Sequence, residues 1–275
     1  MINCGIVTVL YNHNESDVYN WFQTLIHNFF YLSIFNFEIY LINNGKVDYN
    51  FEPFNNEYIS SNYPKAHYNI HYIKCDQNVG YCGGNNLILK ELPLSKAECL
   101  FIINPDVFIY NSLVFDWMYS ISKEKNAITG LLQNGKDWLV YPAMFPVDKR
   151  YDVDNLPFAY NYNPQKKHPF QTWKSLPYID GSLMCMPYSV FYNTKGFDTE
   201  FFPGYFGETA FQFDVQINHN VKLLHCPVKK FIDHKCKSDE QFGIEHKKEW
   251  TEKGRLLFYK KYALPNYDKF LSLLV

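Results

Sequence analysis

An Asn104-Pro105-Asp106 step follows directly on the apolar run Cys99-Leu100-Phe101-Ile102-Ile103. An unbroken apolar run of that length reads as a strand covered on both faces. Pro105 has no N–H to donate and fixes its own φ, so it ends the ladder. Asp106 is then delivered at the carboxyl edge of a sheet, where open α/β folds bind their ligands. A carboxylate placed there can hold a divalent metal against a diphosphate. It can equally do no more than cap the turn that follows, so the other chemistry-bearing residues have to decide.

A second constellation is the glycine-rich stretch Asn78-Val79-Gly80-Tyr81-Cys82-Gly83-Gly84-Asn85-Asn86. Its glycines permit close backbone approach to a ligand, and it leads into a helix whose N-terminus favours anions. It lacks the spacing of a dinucleotide fingerprint or a P-loop, so neither NAD binding nor ATP hydrolysis follows. His225, Cys226, His234 and Cys236 lie close in sequence but miss the paired-ligand spacing of structural zinc sites, and zinc is not expected. Seven cysteines form no disulfide framework. An odd count with no signal peptide suits a reducing cytosol, and several sit beside apolar runs as buried free thiols do.

The elements that must position these residues alternate. Gly5 to Leu10 predicts a first buried strand, and Ser16 can cap a helix with Val18, Trp21, Phe22, Leu25, Ile26 and Phe29 on one face. Phe37 to Ile42 predicts a second strand, closed by Asn43-Asn44-Gly45, a turn signal. Ile70 to Cys75 reads as a third strand, followed by the glycine-rich loop and a helix through Leu87 and Leu92. Cys99 to Ile103 is the fourth strand, with a helix near Ser112 to Ser122 and a strand at Ala127 to Leu132 after it. Alternation of this kind implies a mostly parallel sheet with right-handed crossovers. From Trp138 to Tyr178 the rhythm breaks into Pro-, Tyr-, Asn- and Lys-rich sequence, read as long loops with one short strand near Leu139 to Tyr141. Ile179 to Met186 then predicts a strand, Tyr188 to Thr194 a short helix and Glu208 to Asn218 another.

At 275 residues with 47% hydrophobic and 20% charged residues, the chain can bury a substantial core. A formal net charge of −2 gives no general attraction to nucleic acid. The 23 Tyr and 24 Phe could include rings that stack on sugars, or could reflect compositional bias alone. The apolar stretch from Phe29 to Ile42 is interrupted by Ser33, Asn36 and Glu38, so no membrane span is expected. A cytoplasmic protein is expected, with peripheral contact at the inner face of a membrane left open.

Taken in order, four blocks resemble the inverting family 2 glycosyltransferases of GT-A fold, in particular a rhamnosyltransferase-like branch. They are Ile42 to Gly45, Asn78 to Asn86, Asn104 to Val107, and Asp180-Gly181-Ser182 continued by Gly196-Phe197-Asp198 and Phe201 to Glu208. His234 and the segment Arg255 to Tyr262 extend the match. The resemblance implies a Rossmann-like, mostly parallel central sheet flanked by helices. It divides the chain into a glycosyltransferase domain over 1–235 and a C-terminal helical extension over 236–275. Within the domain, 1–135 would bind the nucleotide sugar and 136–235 the acceptor.

The resemblance also implies roles. Asp106 would ligate Mn²⁺ or Mg²⁺ on the donor diphosphate, with Asn104 in place of the motif's first acid and His234 completing the metal shell. Thr8, Asn43 and the loop residues Asn78, Gly80, Gly84 and Asn85 would line the donor pocket. Asn43 stands where relatives place an Asp that accepts from the imide N–H of uracil or thymine. Its oxygen can still accept, while its NH₂ could face cytosine, so a UDP- or dTDP-linked donor is favoured over a CDP-linked one. Asp180 and Tyr205 would line the acceptor side. The family's paired acids near Glu208 are reduced here to Glu208 followed by Thr209, Ala210 and Phe211, which leaves Glu208 as general base unless Asp214 has taken over.

The expected activity is transfer of a sugar from a nucleotide diphosphate to a hydroxyl of a glycan or lipid-linked glycan, with inversion, in surface polysaccharide synthesis. The alternatives are a sugar nucleotidyltransferase, which the lack of Gly or Lys between Val9 and Ser16 disfavours, and a degenerate glycan-binding relative.

Overall fold

The apolar runs fold into strands whose alternate side chains feed two cores, one on each face of a sheet. The computed structural model describes residues 1–54, 67–131, 144–146, 173–175, 178–226, 231–235 and 244–273. In chain order the strands are β1 (Ile2–Leu10), β2 (Phe35–Asn43), β3 (Tyr68–Lys74), β4 (Cys99–Ile103), β5 (Val107–Ile109), β6 (Ala127–Leu131), β7 (Met144–Pro146), β8 (Trp173–Ser175), β9 (Leu183–Pro187), β10 (Lys222–Cys226) and β11 (Ile232–His234). The helices are α1 (Glu15–Phe29), α2 (Gly80–Asn86), α3 (Ile88–Glu91), α4 (Leu113–Lys125), α5 (Tyr188–Asn193), α6 (Gly207–His219), α7 (Ile244–Phe258) and α8 (Tyr267–Leu273).

The main sheet has seven strands in the order β10-β6-β9-β4-β1-β2-β3. Its pairs are parallel except where β9 runs antiparallel to β4 and β6. Two smaller antiparallel pairs are β5 with β11 and β7 with β8. Ile6, Leu10, Phe37, Phe101 and Ile103 point to the core under α1 and α4, where Trp21, Phe22, Phe29 and Phe115 pack. Val7, Tyr40, Leu100, Ile102 and Met184 point to the other core, under α2, α5, α6 and the C-terminal helices. Burial on both faces explains why the strands read as unbroken apolar runs.

Four local expectations are corrected. The α1 cap is Asn14, whose side chain accepts from the Ser16 N–H, and Ser16 itself lies inside the helix. The glycine-rich stretch read as a loop is itself helical from Gly80, as α2, and the helix expected through Leu87 and Leu92 is the four-residue α3. The 179–186 strand starts only at Leu183, because Asp180 closes a turn through Ser182 N to Oδ1 at 2.8 Å. Pro105 does end β4, but the chain re-enters a ladder at once as β5, in a different sheet. The strand near Leu139 to Tyr141 and most of the 138–178 segment lie outside the described residues. Cys4, Cys82, Cys99, Cys185 and Cys226 are buried free thiols, and Cys75 is half-buried. No helix among the described residues is long and apolar enough to cross a membrane.

Candidate active site

Asp106 is aimed by three elements. Val107 N donates to Asn104 O at 3.1 Å, closing a tight turn with Pro105 in its second position. β5 then pairs with β11 in a register that sets Val107 opposite His234, and Lys235 N donates to Asp106 O at 2.9 Å. From the other side α1 fixes the ribbon: Trp21 Nε1 donates to Val107 O at 3.0 Å and Asn28 Nδ2 to Ile109 O at 2.7 Å. The outcome is an Asp106 side chain only 2% exposed, with His234 Nε2 3.4 Å from its Oδ1. A residue 128 positions further along the chain thus meets Asp106 because two short strands pair.

The glycine-rich loop is built by asparagines. Asn78 Oδ1 accepts from Gly80 N and from Asn44 Nδ2, both at 2.8 Å. Asn44 also donates to Gly80 O at 3.1 Å and accepts from Val79 N at 2.8 Å. Gly80 has φ +74°, a left-handed conformation that favours glycine, and a Cβ there would stand 2.9 Å from Pro203 O. Gly84 lets α2 lie on β1, since its Cβ would reach 2.8 Å from a Val9 methyl.

Asn43 is wholly buried. Its NH₂ donates to Val47 O and to the Tyr72 hydroxyl, both at 2.7 Å, and its oxygen accepts from Gly45 N at 3.0 Å. Both donors are committed, so only the oxygen retains hydrogen-bonding capacity.

On the opposite side of the junction, Glu208 occupies the first turn of α6. Tyr178 Oη donates to Glu208 Oε1 at 2.8 Å, and Tyr81 Oη donates to Gly181 O at 2.7 Å. Gly181 is crowded by both groups: a Cβ there would lie 3.1 Å from Glu208 Cγ and 3.2 Å from Tyr81 Oη. Burial pushes the Glu208 carboxyl above the usual carboxylate range; its own backbone amide and the Tyr178 hydrogen bond oppose that, and the Asp180 charge adds to it. Burial, reinforced by the Glu208 charge, pushes the Tyr81 and Tyr178 phenols up as well. The two halves are joined by Asn104 N donating to Ser182 O at 2.8 Å, which sets the Asp106 turn beside the Asp180-Gly181-Ser182 turn.

Other candidate residues stand further back. Thr8 is buried in β1, Asn85 is buried in α2 with its Nδ2 on Tyr81 O at 2.9 Å, and neither presents a surface to a ligand. Tyr205 and Phe206 both have positive φ, and Tyr205 packs under α7, where a Cβ on Gly254 would stand 2.7 Å from Tyr205 O. Asp214 faces away from Glu208 along α6, accepting from Asn218 Nδ2 at 2.7 Å with His219 3.8 Å away. Asp198 organises its turn, accepting from Glu200 N and Tyr262 Oη and pairing with Lys261. Among the described residues no group of three or more His, Cys, Asp or Glu side chains converges to hold a metal. Sequence reasoning passed over Asn44, Tyr81 and Tyr178. Asn44 lies inside a turn signal already recognised, whereas Tyr178 meets its partner only through the fold.

No protein-family model matches the sequence, and no curated protein does. Solved structures do resemble the whole fold. TarS of S. aureus aligns over 96% of this chain and 74% of its own, with a TM-score of 0.51 and 12% identity. The mannosyltransferase PcManGT from Pyrobaculum calidifontis, in complex with GDP-Man and Mn²⁺, aligns over 98% of this chain and 74% of its own (TM-score 0.54, 10% identity). GalNAc-T7 with UDP, GalNAc and Mn²⁺ aligns over 98% of this chain and 59% of its own (TM-score 0.54, 12% identity). The fold is GT-A. Identities this low establish the architecture alone.

Proposed function

We propose that this chain is a metal-dependent glycosyltransferase that moves a sugar from a nucleoside diphosphate to a glycan hydroxyl with inversion. The observation that carries the reading is the pairing of two unlike centres across one junction. A buried carboxylate with an imidazole 3.4 Å away, Asp106 and His234, stands on the donor side, and a carboxylate raised by burial, Glu208, on the other. One oxygen ligand and one nitrogen ligand suit a hard divalent ion whose remaining positions are taken by diphosphate oxygens and water. Such an ion, when bound, supplies positive charge to the leaving diphosphate.

The protein's own groups do the rest. The backbone of the Asn78–Gly80 loop and the start of α2 face the donor, and Asp106 and His234 orient its diphosphate end. Glu208 takes the proton of the attacking hydroxyl, and Asp180 lines the space where donor and acceptor meet. Asn43 is wholly buried, with its donors on Val47 O and Tyr72 and its oxygen on Gly45 N, so it shapes the turn and does not read the base. The preference for a UDP- or dTDP-linked donor over a CDP-linked one rests on the family resemblance. The acceptor class we infer is a glycan or lipid-linked glycan handled on the cytoplasmic side, as in surface polysaccharide synthesis. That PcManGT was solved with GDP-Man and Mn²⁺, and GalNAc-T7 with UDP and Mn²⁺, supports a nucleotide-sugar donor and a divalent metal.

The deciding experiment measures nucleoside diphosphate release from UDP-, dTDP-, GDP- and CDP-sugars with Mn²⁺ or Mg²⁺, with and without glycan acceptors. Release that requires metal and rises with acceptor is expected. Donor binding with no turnover across the panel would indicate a glycan-binding relative instead, and pyrophosphate exchange a nucleotidyltransferase.

A further inference from the structure

The two tyrosines beside Glu208 do different work. Tyr81 donates to a backbone carbonyl, Gly181 O, and so belongs to the scaffold. Tyr178 donates to the carboxylate itself, at 2.8 Å on Oε1. The phenol proton is therefore committed to the carboxylate, and the nearby Gly181 amide only tempers the upward push of burial on the phenol. Because burial and the Glu208 charge hold the phenol well above the usual tyrosine range, it stays neutral and acts as a donor, not as a second base.

We propose that Tyr178 is the positioning residue of the Glu208 base. Its phenol occupies Oε1 and thereby leaves Oε2 as the oxygen that receives the acceptor proton. The assignment rests on Glu208 being that base. A carboxylate on a flexible Glu side chain has two equivalent oxygens and several rotamers, and a fixed hydrogen bond to one oxygen removes that degeneracy. The groups facing Glu208 are Asp180 and Tyr178 from the 178–182 segment and Tyr81 and Cys82 from α2. Among the described residues the charge acting on Glu208 is that of Asp180, which disfavours ionisation. The Glu208 backbone amide and, after it, Tyr178 supply the opposing influences, and Tyr178 is the side chain that does so without a cation. A neutral donor keeps the base ionisable and still basic enough to take a sugar hydroxyl proton, whereas a lysine or arginine in its place would hold the proton affinity down.

The test reads Glu208 directly. Protein carrying ¹³C at glutamate Cδ is titrated by NMR from about pH 4 to pH 9, with Glu208→Gln identifying the resonance. Removing a donor to the ionised oxygen must raise the midpoint, so in Tyr178→Phe it is expected about half a pH unit or more above that of the unaltered protein. Tyr81→Phe, which loses only a bond to backbone, should move it less. An unchanged or lowered midpoint in Tyr178→Phe overturns the proposal. Should that variant fail to fold, the unaltered protein still decides: the Tyr178 ¹³Cζ resonance must titrate with the Glu208 midpoint, and a Tyr178 signal flat across that transition rules the contact out. A parallel assay of diphosphate release from a UDP-sugar separates the two readings. Full transfer by Glu208→Gln defeats the general-base assignment whatever the NMR shows. An acid limb that stays in place in Tyr178→Phe, with Glu208→Gln inactive, defeats only the role of Tyr178.

Discussion

Asp106 is buried and Glu208 half-buried, and their surroundings ask different things of them. Asp106 sits beside an imidazole at 3.4 Å, while Glu208 is made a stronger base by burial. A base works only when deprotonated, and a raised pKa extends the protonated range upward. Transfer should therefore fall as pH drops through a midpoint above the ordinary glutamate range, visible as the acid limb of a kcat/KM profile. Glu208→Gln should lower transfer by about two to four decades and keep donor affinity. Asp214→Asn should stay close to the unaltered rate, because Asp214 is turned toward Asn218 and His219. If the Asp214 variant is the inactive one, the assignment is wrong. Asp106→Ala should cost about a hundredfold or more and blunt the response to added Mn²⁺, and full activity in EDTA would contradict that role. Asp106 stands out in sequence through a local signal, a strand stopped by proline, whereas Glu208 is singled out only through the family resemblance. Tyr178 carries no such signal, since its partner is 30 residues away and the contact exists only once the Asp180 turn has formed.

The elements meet at α2, which continues the Asn78–Gly80 turn and also grips the 197–203 segment. Asn86 Nδ2 donates to Phe197 O at 2.7 Å and its Oδ1 accepts from Phe197 N at 2.8 Å, while Tyr81 N donates to Pro203 O at 2.7 Å. Asn86→Ala would leave both backbone groups of the buried Phe197 without these partners, at a cost of about 1–3 kcal/mol for each unsatisfied group. Urea unfolding should show that loss, and a variant within about 0.5 kcal/mol of the parent would show that the clamp contributes nothing. Most elements were readable from periodicity: β4 matches its predicted bounds, and α1 shows its buried stripe of Val18, Trp21, Phe22, Leu25, Ile26 and Phe29. β10 escaped notice because Lys222 and His225 interrupt its apolar pattern at the sheet edge. Lys230 to Asp233 reads as strand-like before His234, but β5 and its pairing with β11 escaped because a three-residue strand carries no period, although that ribbon is what brings His234 to Asp106. Antiparallel β9 could not be told from a parallel strand, since direction leaves no mark on an apolar run.

At the scale of the whole molecule, the C-terminal segment sets what the surface can do. Its basic and aromatic residues, read in sequence, suit either a membrane-facing helix or a final packed layer. In the fold Phe258, Tyr259 and Phe270 belong to the core with Phe213, and Gly254 brings α7 against Tyr205 and Phe206, one turn before Glu208. Arg255 is also buried, bound to Glu252 Oε2 through Nε at 3.0 Å and Nη2 at 2.7 Å. Among the described residues of this segment the exposed positions are mostly charged, with His246, Lys248, Lys253, Lys260, Lys261 and Lys269 alongside Glu249 and Asp268, while Trp250 and Tyr262 are half-buried. The segment therefore buttresses the 205–206 turn that leads into α6. Phe270→Ala should cost about 3–5 kcal/mol, as for a large aromatic lost from a packed core. Cutting the chain after Ala263 removes Tyr267 and Phe270 together and should lower Tm sharply. With anionic liposomes, the full chain should show at most salt-sensitive adsorption through its lysines, removed by added salt. A truncated chain that stays fully stable while losing salt-resistant liposome binding would make the segment an anchor and not part of the core.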